Sequence, residues 1–149
     1  MKTTGKIRTL RGTMSSMDGA SSYQKRQVIL DDGLINQGYR ILSFTIWPRD
    51  FEVFANGGVV YGILSTESLS NIQMEASDNR QIAWSQLQAG GLKDDIIDPN
   101  HIVNRDLYVR TYNNKSATTT MNYLIVMEEI SLSDDEAIIS IIKEQSQDV

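Results

Sequence analysis

Between Asp106 and Ile130 the chain alternates in two blocks separated by a polar tract. In DLYVRTY, Leu107, Val109 and Thr111 share one parity, and Asp106, Tyr108, Arg110 and Tyr112 share the other. That period of two predicts a strand with one buried and one wetter face. In MNYLIVMEEI both parities are apolar at the centre, with Tyr123, Ile125 and Met127 on one side and Leu124 and Val126 on the other. A strand apolar on both faces is expected inside a doubly covered sheet, as in a sandwich. The tract 113–120, rich in Asn, Ser and Thr, reads as an exposed loop closing the two blocks into a hairpin.

Upstream, YRILSFTIW sets Leu42, Phe44 and Ile46 on one face and Ile41 and Trp47 on the other, and Pro48 ends it because proline cannot donate to a ladder. YQKRQVIL, VVYGILST and Gln81–Leu87 read as further strands, the last anchored by Trp84, with a short one around Ile72 and Met74. GKIRTLRGTM fits either an edge strand guarded by Lys6, Arg8 and Arg11 or an arm, residues 1–14, that reaches onto a neighbour. Asp18-Gly19, Asp31-Asp32-Gly33 and Asn56-Gly57-Gly58 mark turns, and Gly90-Gly91 opens a loop, LKDDIIDPNH. Phe51, Val53 and Phe54 fall in an unassigned segment and read as core or as cover over a sheet end. The expectation is an all-β fold: a single antiparallel, jelly-roll-like β-sandwich of seven to eight strands over residues 1–149.

The period changes at the C-terminus. Ser133 precedes Glu136 by three residues, a capping-box spacing, and Asp134, Asp135 and Glu136 suit the positive end of a helix dipole. Ile138, Ile141 and Ile142 form one stripe with Ile139 beside it, predicting a short α-helix over 133–145. Such a helix is marginal alone, so its stripe must lie on its own sandwich or dock on a neighbouring subunit.

Composition narrows the classes. A chain of 149 residues with 40% apolar content is long enough to bury a core. No window is apolar over the ~20 residues a bilayer span requires, and MKTTGKIRTLRGTM lacks the apolar core of a secretory signal. The absence of cysteine excludes disulfides and thiolate sites. Net charge is −5, divided as eight Lys or Arg against three Asp in residues 1–49 and six against sixteen acidic residues in 50–149. Such asymmetry fits a nucleic-acid or complementary protein contact, or charges that interleave on one surface.

Candidate chemistry is sparse. The single histidine, His101 in DPNHIV, reads as structural or solvated. Asp94, Asp95 and Asp98 could bind an ion but lack the spacing of a calcium loop, so a solvated acidic turn is expected. Neither Gly57-Gly58 nor Gly90-Gly91 is a phosphate loop. Glu128 and Glu129 mark where a long strand meets water, and Asn114-Lys115-Ser116 matches a glycosylation acceptor with no signal to accompany it. Tyr23, Lys25, Arg26, Tyr39 and Arg40 give a faint aromatic-basic pattern, opposed by a pI near 4.8, so nucleic-acid binding is not expected.

The phrases QIAWSQL, DPNHIVNRDLYV and NYLIVMEEI carry a resemblance. At Ile82–Ser85, Asp98–Leu107 and Asn122–Glu128 the chain is similar to small virion structural proteins of marine tailed bacteriophages, of capsid-decoration or cement type. The resemblance covers about the last half of the chain and brings no catalytic residue. It implies a non-enzymatic, cofactor-free structural protein of the particle, assembled in the host cytoplasm and residing in the virion. The implied partners are the major capsid protein or other virion subunits and further copies of itself, with no membrane. The interface expected from the residues comprises Lys2, Lys6, Arg8 and Arg11 with Ile138, Ile141 and Ile142. The alternatives are a tail, neck or spike component, a single-stranded nucleic-acid-binding barrel, or a carbohydrate-binding sandwich suggested by Trp47 and Trp84.

Overall fold

The computed structural model describes residues 2–16, 24–28, 37–50, 58–68, 73–88, 91–104, 106–114, 119–133, 135–136 and 138–139. The strands are β1 (Lys2–Ser16), β2 (Gln24–Val28), β3 (Gln37–Pro48), β4 (Val59–Ser65), β5 (Gln81–Gln88), β6 (Lys93–Ile97), β7 (Ile102–Val103), β8 (Leu107–Asn113) and β9 (Thr119–Ser131). They form two sheets, ordered β1-β9-β3-β7 and β2-β8-β4-β5-β6, with antiparallel neighbours throughout. The all-β, two-sheet architecture expected from the alternation is the one observed.

The inner faces follow the period of two. Leu10, Phe44 and Ile125 stand in one row across β1, β3 and β9, and Met14, Pro48 and Met121 in another. Val60, Leu64, Ala83, Leu107 and Val109 answer from the second sheet. Fully covering each large aliphatic or aromatic side chain contributes roughly 1.5–3 kcal/mol. A bulge between Ile41 and Ser43 shifts the register of β3 so that Ile41 and Phe44, three residues apart, both face inward. Gly62 of β4 faces Ile46, where a Cβ would come within 2.9 Å of Ile46 Cγ2, so the sheets leave no room for a side chain at that point.

Several sequence expectations are corrected. Residues 107–130 do not form a hairpin: β8 pairs with β2 and β4, and β9 with β1 and β3, so the link between them crosses from one sheet to the other. Leu124 and Val126 are half-buried, because the outer face of their sheet is only partly covered. LKDDIIDPNH contains strand β6, which periodicity missed because KDDII does not alternate. Gln73–Glu75 is irregular and not a strand, while Ile72 lies outside the described residues. The turns at 18–19 and 31–33, the Asn56-Gly57 step and Phe51, Val53 and Phe54 also lie outside them.

At the C-terminus the capping box is formed: Glu136 N donates to Ser133 Oγ at 3.2 Å and Ser133 N donates to Glu136 Oε1 at 3.2 Å. The described residues contain no complete helix, although Asp135, Glu136, Ile138 and Ile139 have helical backbone. The remainder of 133–145 lies outside the description.

Candidate functional site

The first expected site is β1. Residues Lys2–Ser16 do not hang free. They pair along β9 as the outer strand of the four-stranded sheet, interrupted by an irregularity between Thr3 and Ile7, where Gly5 takes φ +78°. Lys2, Lys6 and Arg11 are exposed. Arg8 instead reaches across β9 to Tyr39, its guanidinium carbon 5.5 Å from the ring centroid and Nη1 3.4 Å from the hydroxyl. Of the isoleucine stripe, Ile138 and Ile139 are 52% and 53% exposed. Ile141 and Ile142 lie outside the described residues.

Beside β1 a shallow groove of about 420 Å³ runs over the outer face of its sheet, lined by Arg11, Gly12, Thr13, Trp47, Asn122 and Leu124, with Tyr123 contributing from below. Parity places Trp47, Asn122 and Thr13 in one row across β3, β9 and β1. An indole face beside a carboxamide, a hydroxyl and a guanidinium can stack on a flat ring and hydrogen-bond its substituents. Trp84 does not join it. That residue lies on the outer face of the other sheet, where its Nε1 donates to Gln81 Oε1 at 2.8 Å. The same Gln81 also holds the 73–75 segment, accepting from Glu75 N at 2.9 Å and donating to Gln73 O at 2.9 Å.

Sequence reasoning did not single out a third cluster, formed by Ser85, Lys93 and Asp95. Ser85 Oγ donates to Asp95 Oδ1 at 2.5 Å and accepts from Lys93 Nζ at 2.7 Å and from Ile46 N at 3.1 Å. Lys93 Nζ also lies 2.7 Å from Asp95 Oδ1. Serine beside lysine is a nucleophile-base pairing in some hydrolases. Here the hydroxyl is fully buried and its donor and both acceptor positions are in use. Its evident task is structural: it satisfies a backbone N–H on the stretch of β3 that β7 leaves unpaired, joining the two sheets at that corner.

That cluster also separates the aspartates considered for an ion. Asp94 and Asp95 stand in β6 and not in a turn, so their side chains leave opposite faces, and Asp95 is spent on Ser85 and Lys93. Asp98 follows the strand, its Oδ1 accepting from Asn100 N at 3.0 Å. Among the described residues no group of three or more His, Cys, Asp or Glu is placed to hold a metal ion. His101 is half-buried, and burial pushes its pKa down against the opposing pull of Asp98.

The aromatic-basic pattern disperses as well. Tyr39 is buried, and Arg40 forms an ion pair with Glu128 at 3.1 Å. Tyr23 is outside the described residues. Asn114, the glycosylation match, accepts a hydrogen bond from Val59 N at 2.7 Å through its side chain and so anchors the start of β4. No helix among the described residues is long and apolar enough to cross a membrane.

No protein-family model matches the chain, and no curated protein matches it in sequence. Among solved structures, a chain from the atomic structure of Sulfolobus turreted icosahedral virus is similar, with 12% identity and a TM-score of 0.44. The match covers 86% of this chain and 30% of the viral one, so this chain spans less than a third of that neighbour's length.

Proposed function

We propose that this is a non-enzymatic structural protein of a bacteriophage particle, acting as a capsid decoration or cement protein through protein–protein contacts. The observation that carries the reading is the strand order. β1-β9-β3-β7 over β2-β8-β4-β5 is the order of a jelly roll, with β6 added at one edge. Double-sheet jelly rolls recur in viral capsid domains and in lectins, so the support is an analogy of fold. The sequence resemblance over Ile82–Ser85, Asp98–Leu107 and Asn122–Glu128 points the same way. So does the surface: a 15-residue outer strand rich in cations, and exposed Ile7, Leu42, Leu92 and Ile96, suit burial against other subunits. The partners in this reading are the major capsid protein and further copies of the chain, in a virion assembled in the host cytoplasm. A tail, neck or spike component is the alternative placement, since these too are built on β-sandwiches.

Purified protein added to stripped or expanded capsids is expected to rebind and raise their melting temperature. Failure to bind any component of a purified particle sinks the proposal.

The groove at Trp47 favours one second reading, a carbohydrate-binding sandwich, since lectin domains share this strand order. In that case a glycan array gives hits that Trp47→Ala abolishes, and an array without hits removes it.

A further inference from the structure

We propose that copies of this chain associate head to tail, the basic outer strand β1 of one copy receiving the acidic outer strand β6 of the next. The inference rests on the reading of a repeated structural protein and names the surfaces that do the repeating. β1 and β6 end different sheets at opposite sides of the sandwich, for β1 lies over β2 and β8 whereas β3 lies over β5 and β6.

The two edges are charged in opposite senses. β1 carries Lys2, Lys6, Arg8 and Arg11 and no carboxylate. The nearest acid in register, Glu128 opposite Ile7, is paired with Arg40. On β6, Asp95 and the strand's one cation, Lys93, are paired with each other, so the acidic surplus of this edge is Asp94 with Asp98 directly after the strand. Each edge also exposes an isoleucine, Ile7 at 58% and Ile96 at 60%.

Backbone pairing favours the same arrangement. An outer strand presents unpaired N–H and C=O groups along one side, and proteins guard long ones with charge and bulges. The irregularity at Gly5 and the cations of β1 do this against a second β1, because like charges face each other across such a pair. They do not reject an acidic strand. Arg49 N bonds Thr120 O, which by alternation directs the backbone groups of Ile7, Thr9, Arg11 and Thr13 outward from β1. Gln88 N bonds Leu92 O and Asp98 N bonds Ile82 O, which leaves those of Lys93, Asp95 and Ile97 outward from β6. An antiparallel register that sets Arg11 opposite Asp95 matches outward group to outward group and sets Arg8 opposite Asp98. A contact between two unlike patches does not close as a dimer; it propagates to a ring or a filament.

The test is sedimentation of the wild-type chain and two charge reversals, K6E/R11E on β1 and D94K/D98K on and after β6. Wild-type protein is expected to form species larger than a dimer at about 50 mM salt and to dissociate at about 500 mM, where surface charges are screened. Each reversed variant alone is expected to be monomeric, with an apparent Kd weakened at least about tenfold. Melting curves check that the variants fold, and D94K alone replaces D94K/D98K if the latter does not. A monomeric wild-type chain at low salt overturns the proposal, as does association unchanged by either reversal. So does binding of single-stranded DNA that K6E/R11E abolishes while self-association persists, since β1 then serves phosphate. These outcomes leave the capsid-rebinding result free to stand or fall by itself.

Discussion

The hydroxyl of Ser85, on β5, accepts the backbone N–H of Ile46, on β3, at 3.1 Å, although the two residues belong to different sheets. Sheet strands ordinarily satisfy their N–H groups within their own ladder, and an orphaned buried donor is costly. Ser85→Ala removes the acceptor of that N–H and one partner each of Lys93 and Asp95. A loss of about 1–3 kcal/mol is expected in urea denaturation. Hydrogen exchange at Ile46 should accelerate in the same variant beyond its neighbours.

Gly62→Ala tests the tight contact between the sheets at Ile46. The new methyl would meet Ile46 Cγ2 at 2.9 Å and Arg110 O at 3.3 Å, and the second of these is backbone that cannot turn away. Overpacking of this kind costs about 1–3 kcal/mol. Ile46→Ala removes both γ carbons that the methyl would meet, so a double-mutant cycle is expected to show coupling between the two positions, with the pair less destabilised than the sum of the singles.

Two groups with lowered pKa values contribute to the acid side of the stability profile. His101 has a folded pKa lowered chiefly by burial, so the native state favours the neutral ring. Its contribution is complete above the unfolded value of about 6.5 and is lost as pH falls through the folded one. Asp78 is lowered chiefly by its hydrogen bonds with the Arg80 side chain, at 2.9 and 3.0 Å. Its contribution is present above about pH 3.9 and is lost below that, as pH drops toward the folded value. Thermal melts from pH 8 to 3 (roughly the span of both groups) should therefore show His101→Phe flattening the upper limb and Asp78→Asn the lower. A slope unchanged in either variant refutes the assignment for that residue.

The groove yields a prediction of its own. Trp47 and Leu124 stand on a partly covered outer face, so Trp47→Ala should cost less than truncating a core side chain such as Phe44, for which about 3–5 kcal/mol is usual. Equal destabilisation by the two, measured in the same denaturant series, would mean that Trp47 is core and not surface.

What the sequence made legible were faces, and what it hid were partners. The alternation in DLYVRTY and the apolar centre of MNYLIVMEEI marked β8 and β9 as strands, and Ile125 and Met127 are fully buried as their parity implied. Alternation records which side of a strand is covered, not which strand lies beside it. The polar 113–120 tract suits a passage between sheets as well as a hairpin loop, and so the pairing was misassigned. β6 was missed because KDDII puts an aspartate on each face of an exposed outer strand. The Ser85 cluster was invisible for another reason. Serine in a strand is unremarkable until a chain 39 residues away offers it an N–H.

The middle position of β9 between β1 and β3 has a consequence for biogenesis. Leu10 pairs with Ile125, more than a hundred residues later in the sequence, so β1 cannot be completed until β9 has left the ribosome. Until then β1 waits as an unsatisfied ribbon. Closing so long a loop is slow compared with forming local hairpins. The nascent protein therefore spends its most vulnerable interval before residue 131, and chaperone dependence or low-temperature rescue should track substitutions in β9 more than those in β4 or β5.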